Sequence, residues 1–162
     1  VLVNETLMYR IKKYWSPYHR ALKMLLDEKV AEFDAVFYID WHSMKSKGNQ
    51  MNIDSGRDRP DFVVSDQDGK TSSRKFRDVI IKNLTSQGYE VAVNYPYKGA
   101  ELIKRYGVPT ENRHAVQIEI NRRLYMDEFS FLKNDSFSVL KDNILKLTER
   151  LVYFTRAEKY YY

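Results

Sequence analysis

In Val36-Phe37-Tyr38-Ile39-Asp40-Trp41-His42 an acid and an imidazole stand two residues apart at the end of an apolar, aromatic run. A strand repeats every two residues, so Phe37, Ile39 and Trp41 fall on one face and Tyr38, Asp40 and His42 on the other. A carboxylate beside a histidine at the C-terminal end of a strand suits a metal ligand whose ring is oriented by an acid behind it, or a His–Asp acid–base pair. A solvated histidine at a strand end has the same pattern. A second run, from Ala115 to Asn121, presents Val116, Ile118 and Ile120 to one face and Gln117, Glu119 and Asn121 to the other. In a central strand Glu119 would lose hydration, which raises a carboxyl pKa towards proton transfer near neutrality. In an edge strand the same row is a wet face.

Other candidates are weaker. Lys98, in Tyr95-Pro96-Tyr97-Lys98-Gly99, follows a strand and can bring a cation to the mouth of a sheet, although a solvated turn lysine is commoner; Arg105 carries the same ambiguity. His19, early in its helix, reads as a capping or packing residue as readily as a ligand or a support for one. Asp66-Gln67-Asp68-Gly69-Lys70 begins like a calcium loop but lacks the later acid and the full spacing, which excludes that reading. With three His and no Cys in the chain, a zinc site needing three protein ligands must recruit carboxylates or residues from outside this segment.

Strands and helices alternate in the way needed to position these groups. Tyr18 to Phe33 has apolar residues at helical spacing, with Ser16-Pro17 as the expected N-cap and first-turn proline. Ala35 to Trp41 is expected as a strand ending in a polar loop from His42 to Arg59, and Asp61 to Ser65 as a second strand. A helix follows from Ser72 or Ser73 to about Gln87, closed by Gly88, then a strand from Tyr89 to Asn94 and a short helix or turn from Gly99 to Tyr106. His114 to Asn121 is the fourth strand, and Asp135 to about Phe154 a long amphipathic helix with Phe137, Leu140, Ile144, Leu147, Leu151 and Phe154 on or near one stripe. The final Lys159-Tyr160-Tyr161-Tyr162 is expected to fray. The pattern predicts one α/β domain over residues 1–162, a three-layer sheet flanked by helices with ligands at the strand ends.

Composition limits the partners. The chain has 162 residues, 43% of them hydrophobic, within the range of one domain. Its apolar runs are far shorter than the ~20 residues of a membrane-spanning helix, and no secretory leader is visible at its start, so the expected location is the cytoplasm. The net charge of +5 comes from 27 basic residues interleaved with 22 acidic ones. No basic stripe or nucleic-acid motif accompanies it, and a small anionic substrate suits it as well.

Taken together, Tyr14-Trp15-Ser16-Pro17-Tyr18-His19, Ile39-Asp40-Trp41-His42-Ser43-Met44, Pro60-Asp61-Phe62-Val63-Val64, Asp66-Gln67-Asp68-Gly69, Asn94-Tyr95-Pro96-Tyr97-Lys98-Gly99 and His114 to Arg122 resemble, in order, the N-formylglutamate amidohydrolase family. The resemblance implies a zinc-dependent hydrolase of linear amides with a fold similar to the zinc exopeptidases. It implies His42 as a zinc ligand, Glu119 as the proton carrier, and Lys98, Arg105 and His114 as contacts to a substrate such as N-formylglutamate; Asp40 and His19 would support the site. A regular strand puts His114 opposite Glu119, so that role needs a bend. Such enzymes carry a further N-terminal segment with a His-containing motif and an acid, so this chain is expected to be the C-terminal part of a longer hydrolase, or else a reduced relative without catalysis. Hydrolysis of another N-acyl amino acid or a peptidoglycan-type amide, and a metal-free binding module, are the competing readings.

Overall fold

The computed structural model describes residues 4–158; the expected fraying of Lys159 to Tyr162 lies outside them. Its helices are α1 (Asn4–Arg10), α2 (Ser16–Phe33), α3 (Arg74–Ser86), α4 (Glu101–Tyr106) and α5 (Phe137–Glu158), and its strands β1 (Val36–Met44), β2 (Phe62–Ser65), β3 (Val91–Val93) and β4 (Arg113–Asn121). The strands form one mixed sheet in the order β1-β4-β2-β3, with β1 parallel to β4, β2 parallel to β3, and β2 antiparallel to β4.

One face of the sheet carries the main core. Val116 and Ile118 of β4 and Phe62 and Val64 of β2 pack against Phe76, Ile80 and Leu84 of α3 and Leu140, Leu147 and Leu151 of α5, all buried. Phe37 of β1 joins them through ring contacts with Phe76 and Phe154. The long terminal helix thus packs inwards as its stripe predicts. Helix α3 starts where its chemistry dictates: the Ser73 hydroxyl accepts from the Phe76 amide. Gly88, at φ +89°, supplies the left-handed turn after it.

The N-terminal helix departs from the expectation of a cap at Ser16. Helix runs from Asn4 through a π-helical turn, Ile11–Trp15, straight into α2. Pro17 has no N–H to give the carbonyl four residues back, and the wider turn just before it, in which the Ser16 amide bonds Ile11 five residues back, accommodates the loss. Ser16-Pro17 therefore marks a change of helical pitch. Helix α2 ends at Asp34, in a left-handed conformation with φ 66°.

Strand β1 is longer than its apolar run, reaching Met44 because each residue from Val36 to Met44 has a partner from Arg113 to Asn121 on β4. The polar loop consequently begins after Met44, not at His42. Strand β3 is shorter than expected, three residues only. Beyond the strand ends, Glu128 accepts from the Ser46 amide at 3.0 and 3.1 Å and from its hydroxyl, tying together the segments that follow β4 and β1. Among the described residues no helix is long and apolar enough to cross a membrane.

Candidate functional site

Register places the two singled-out strands' functional groups side by side. His42 is paired with Glu119 and Asp40 with Gln117 across the parallel β1–β4 ladder, so the four side chains share one face of the sheet, opposite the main core. The His42 Nε2 lies 3.1 Å from Asp40 Oδ2, and its Nδ1 lies 3.9 Å from Glu119 Oε1. A ring that donates through Nε2 to Asp40 keeps the lone pair on Nδ1, on the side of Glu119. His42 is partly open to solvent, with 42% of its side chain exposed, while Asp40 and Glu119 are buried.

Glu119 has the environment a central strand implies. β4 lies between β1 and β2, and burial pushes the Glu119 carboxyl above its ordinary range; His42, the Gln117 amide and Arg59 pull it back, and Asp40 pushes it further up. Gln117 Nε2 donates to Glu119 Oε1 at 2.9 Å, and Gln117 Oε1 accepts from the Ala100 amide at 2.9 Å. The start of α4 thereby fixes the orientation of the amide that holds Glu119. Tyr38, next on the same face as Asp40, is a firmly protonated phenol: burial raises its pKa first, and the neighbouring Asp40 carboxylate raises it further.

A buried ion pair forms part of the surroundings. Arg59 reaches Asp54 through two bonds, Nε–Oδ2 at 2.6 Å and Nη2–Oδ1 at 3.0 Å, and both side chains are 3% exposed. The guanidinium also bonds Asn52 and the Lys45 carbonyl and lies over the Tyr97 ring, 5.0 Å from its centroid. Its backbone carbonyl and that of Pro60 accept from the buried Asn121 amide. The loop between β1 and β2, which reads as solvated in the sequence, is thus rooted beside the strand that carries Glu119. Nothing in the residue pattern marks Arg59, Asp54 or the role of Gln117, apart from the parity that puts Gln117 beside Glu119.

The remaining candidates are dispersed. Lys98 pairs with Asp68 at 2.8 Å, exposed at the surface, in the loop whose next residues lead to Ala100 and Gln117. Arg105 binds Glu101 one turn back and lies over Trp15. His19 Nδ1 is 2.6 Å from the Tyr106 hydroxyl, and the imidazole packs against the rings of Trp15 and Tyr106; its partners are between α2 and α4, not at His42. His114 stacks on Phe37 and accepts from the Ser73 amide at 3.1 Å. β4 is regular, so His114 faces the core side of the sheet and Glu119 the other. The Asp66 loop is also structural: the carboxylate is fully buried and bonded to Gly69, Asn94 and Arg77.

Comparison with known proteins adds to this geometry. Residues 2–126 match the model of the family described as N-formylglutamate amidohydrolase. The chain is 30% identical over 125 residues to an N-formylglutamate deformylase of Pseudomonas aeruginosa, covering 76% of this chain and 46% of that protein, and 28% identical over 122 residues to one of Pseudomonas putida, covering 73% and 43%. The crystal structure of N-formylglutamate amidohydrolase from Ralstonia eutropha JMP134 superposes with a TM-score of 0.87 and 37% identity over 94% of this chain and 55% of that one. The chain therefore spans about half the length of the relatives it matches.

Proposed function

Because the chain belongs to the N-formylglutamate amidohydrolase family, we propose that it supplies part of the active site of a zinc-dependent amidohydrolase. The substrate is N-formylglutamate or a similar acidic N-acyl amino acid, and the products are the free amino acid and a carboxylate. The observation that carries this is the pairing of His42 with Glu119 on one face of adjacent parallel strands, with Asp40 on the far side of the imidazole. The mixed sheet with these groups at the strand ends also supports a zinc-exopeptidase-like fold.

His42 fits one position of a metal centre: its Nε2 is engaged by Asp40 and its Nδ1 is turned towards a carboxylate. Among the described residues no three His, Cys, Asp or Glu side chains gather closely enough to hold a metal, so in this reading the other ligands come from further polypeptide. Bound zinc would lower the pKa of water to about 7 and polarise the amide carbonyl. Glu119 then takes the proton from the attacking water and delivers it to the departing nitrogen. The C–O bond forms first, the carbonyl pair moving onto its oxygen; the C–N bond breaks as that pair returns and the nitrogen receives the proton from Glu119, so formate and glutamate leave. Gln117 fixes one oxygen of that carboxylate while the other is left for the proton. Lys98, in the loop leading to Ala100, is the candidate cation for a substrate carboxylate and must exchange Asp68 for it; Arg105 would have to exchange Glu101 in the same way.

Joining this chain to the part of the R. eutropha enzyme that it does not match tests the reading. About one zinc per assembly and formate release from N-formylglutamate are expected. His42→Ala abolishes both, and Glu119→Gln keeps the metal but loses turnover. A folded assembly without any divalent metal overturns the mechanism. Unchanged behaviour of Glu119→Gln points to a binding module, and a panel of N-acyl amino acids separates the acyl groups.

A further inference from the structure

Three amide groups stand in line behind Glu119. Gln117 Nε2 donates to Glu119 Oε1, and the Ala100 N–H donates to Gln117 Oε1, each at 2.9 Å. The other end of the Gly99–Ala100 peptide is held as well: Gln67 Nε2 donates to the Gly99 carbonyl at 2.6 Å and to the Lys98 carbonyl at 2.8 Å. A trans peptide points its C=O and N–H in opposite directions, so Gln67 and Gln117 grip one rigid unit from its two sides. Which way round each side-chain amide sits is settled by its neighbours, since the carbonyls only accept and the Ala100 N–H only donates. Donation thus runs in one direction, from Gln67 to the peptide to Gln117 to the carboxylate, the arrangement in which each bond polarises the next.

Without Gln67 that direction has no lock. Gly99 stands at φ +90°, where a glycine turns readily, and Ala100 is extended, with φ −113° and ψ −156°, so the peptide between them can turn over by rotation about the bonds on either side. A turned peptide presents the Gly99 carbonyl to Gln117. Gln117 must then give it Nε2 and show Oε1 to Glu119, and the carboxylate loses the bond that orients it. Gln67 opposes this turn from a left-handed conformation of its own, φ 54°, which is unfavourable for a residue with a side chain. The Ser65 hydroxyl beside it donates to the Tyr97 carbonyl at 2.8 Å. Three consecutive carbonyls, those of Tyr97, Lys98 and Gly99, are thereby fixed from the end of β2.

We propose that Gln67 is a positioning residue for the reaction: it locks the Gly99–Ala100 peptide and, through Gln117, sets the orientation of the Glu119 carboxylate. This rests on the reading of Glu119 as the proton carrier and deepens it. Gln67 acts at two removes from the reacting atoms, from a loop that carries none of the groups on the His42 face.

The experiment compares Gln67→Met, which keeps the length and removes both donors, with Gln67→Lys, which returns donors to the same carbonyls. In the 162-residue chain, amide exchange at Ala100 is expected to quicken by about tenfold in Gln67→Met and to return to within about threefold of the parent in Gln67→Lys, while Val116 and Ile118 in β4 keep their rates. In the assembly with the unmatched part of the R. eutropha enzyme, Gln67→Met lowers kcat about tenfold with KM within about twofold, the split expected when a reacting group is misplaced but substrate is still held. Gln67→Lys recovers most of that loss. Unchanged exchange at Ala100 overturns the proposal, as does quickening that spreads through β4, which is general loosening. A loss that Gln67→Lys leaves uncorrected overturns it too. Glu119→Gln separates the two claims: turnover lost there while Gln67→Met stays fully active removes the positioning role alone, and full turnover there removes the proton-carrier reading and the role with it. An assembly that releases no formate counts against that reading, while exchange in the chain still decides whether Gln67 locks the peptide.

Discussion

Replacing Arg59 by glutamine tests how firmly the loop beside the site is rooted. The substitution removes both bonds to Asp54, at 2.6 and 3.0 Å, and leaves a carboxylate 3% exposed without a cation. Breaking one side of a buried pair costs about 3–5 kcal/mol. With a urea dependence of about 2 kcal/mol per molar, the unfolding midpoint falls by roughly 2 M. Replacing both partners, Arg59→Met with Asp54→Leu, removes the stranded charge and recovers most of the loss. The pH dependence supplies a second check. Hydrogen bonding from Arg59 holds the Asp54 carboxyl below the ordinary value of 3.8, so the pair's contribution is present above that value and is lost as pH falls through the lower folded value. In Arg59→Gln the lone carboxylate is destabilising instead, so the deficit is largest near neutral pH and shrinks on acidification. Urea unfolding of the three proteins between pH 4 and 7 measures both effects. A loss under about 1 kcal/mol at pH 7, or a deficit flat with pH, refutes the reasoning, since a buried unpaired charge must show both.

Further outcomes follow from other positions. Ile80→Ala, at a fully buried site between α3 and the sheet, should lower stability by about 2–5 kcal/mol, measured by chemical unfolding; a loss near zero would place the side chain outside the core. Gly99→Ala should destabilise by at least about 1 kcal/mol, because φ is +90° and the new Cβ would collide with the Ile103 side chain; an unchanged thermal midpoint counts against that conformation. Asp40→Asn should weaken metal binding by the completed assembly about 10–100-fold by titration calorimetry, and an unchanged affinity removes Asp40 from any orienting role.

Much of the site was legible because a strand has period two. Parity alone groups Tyr38 with Asp40 and His42, and Gln117 with Glu119, and it sets His114 against Glu119. Parity says nothing about which strands adjoin. That β4 is interior, and that His42 sits level with Glu119, depends on pairing between segments far apart in sequence. The end of β1 lies further on than expected for a related reason: His42 and Ser43 look like loop residues, but pairing with Glu119 and Ile120 holds the chain extended. The ion pair of Arg59 and Asp54 was hidden because charges in a polar segment are ordinarily solvated. In the N-terminal helix, Ser16-Pro17 carries the chemistry of a start, and nothing local reveals that a π turn lets the helix pass through it.

The tie between Ser46 and Glu128 has a dynamic consequence. Two parallel strands normally fray independently at their ends, each residue opening at little expense to the next. Here the chains emerging from β1 and β4 are stitched together just past the ladder, so separating Ser43 from Ile120 also requires undoing the stitch. The spacing between the imidazole and the carboxylate is thereby held from beyond the ladder as well as along it, at an end where Met44 and Asn121 are already buried.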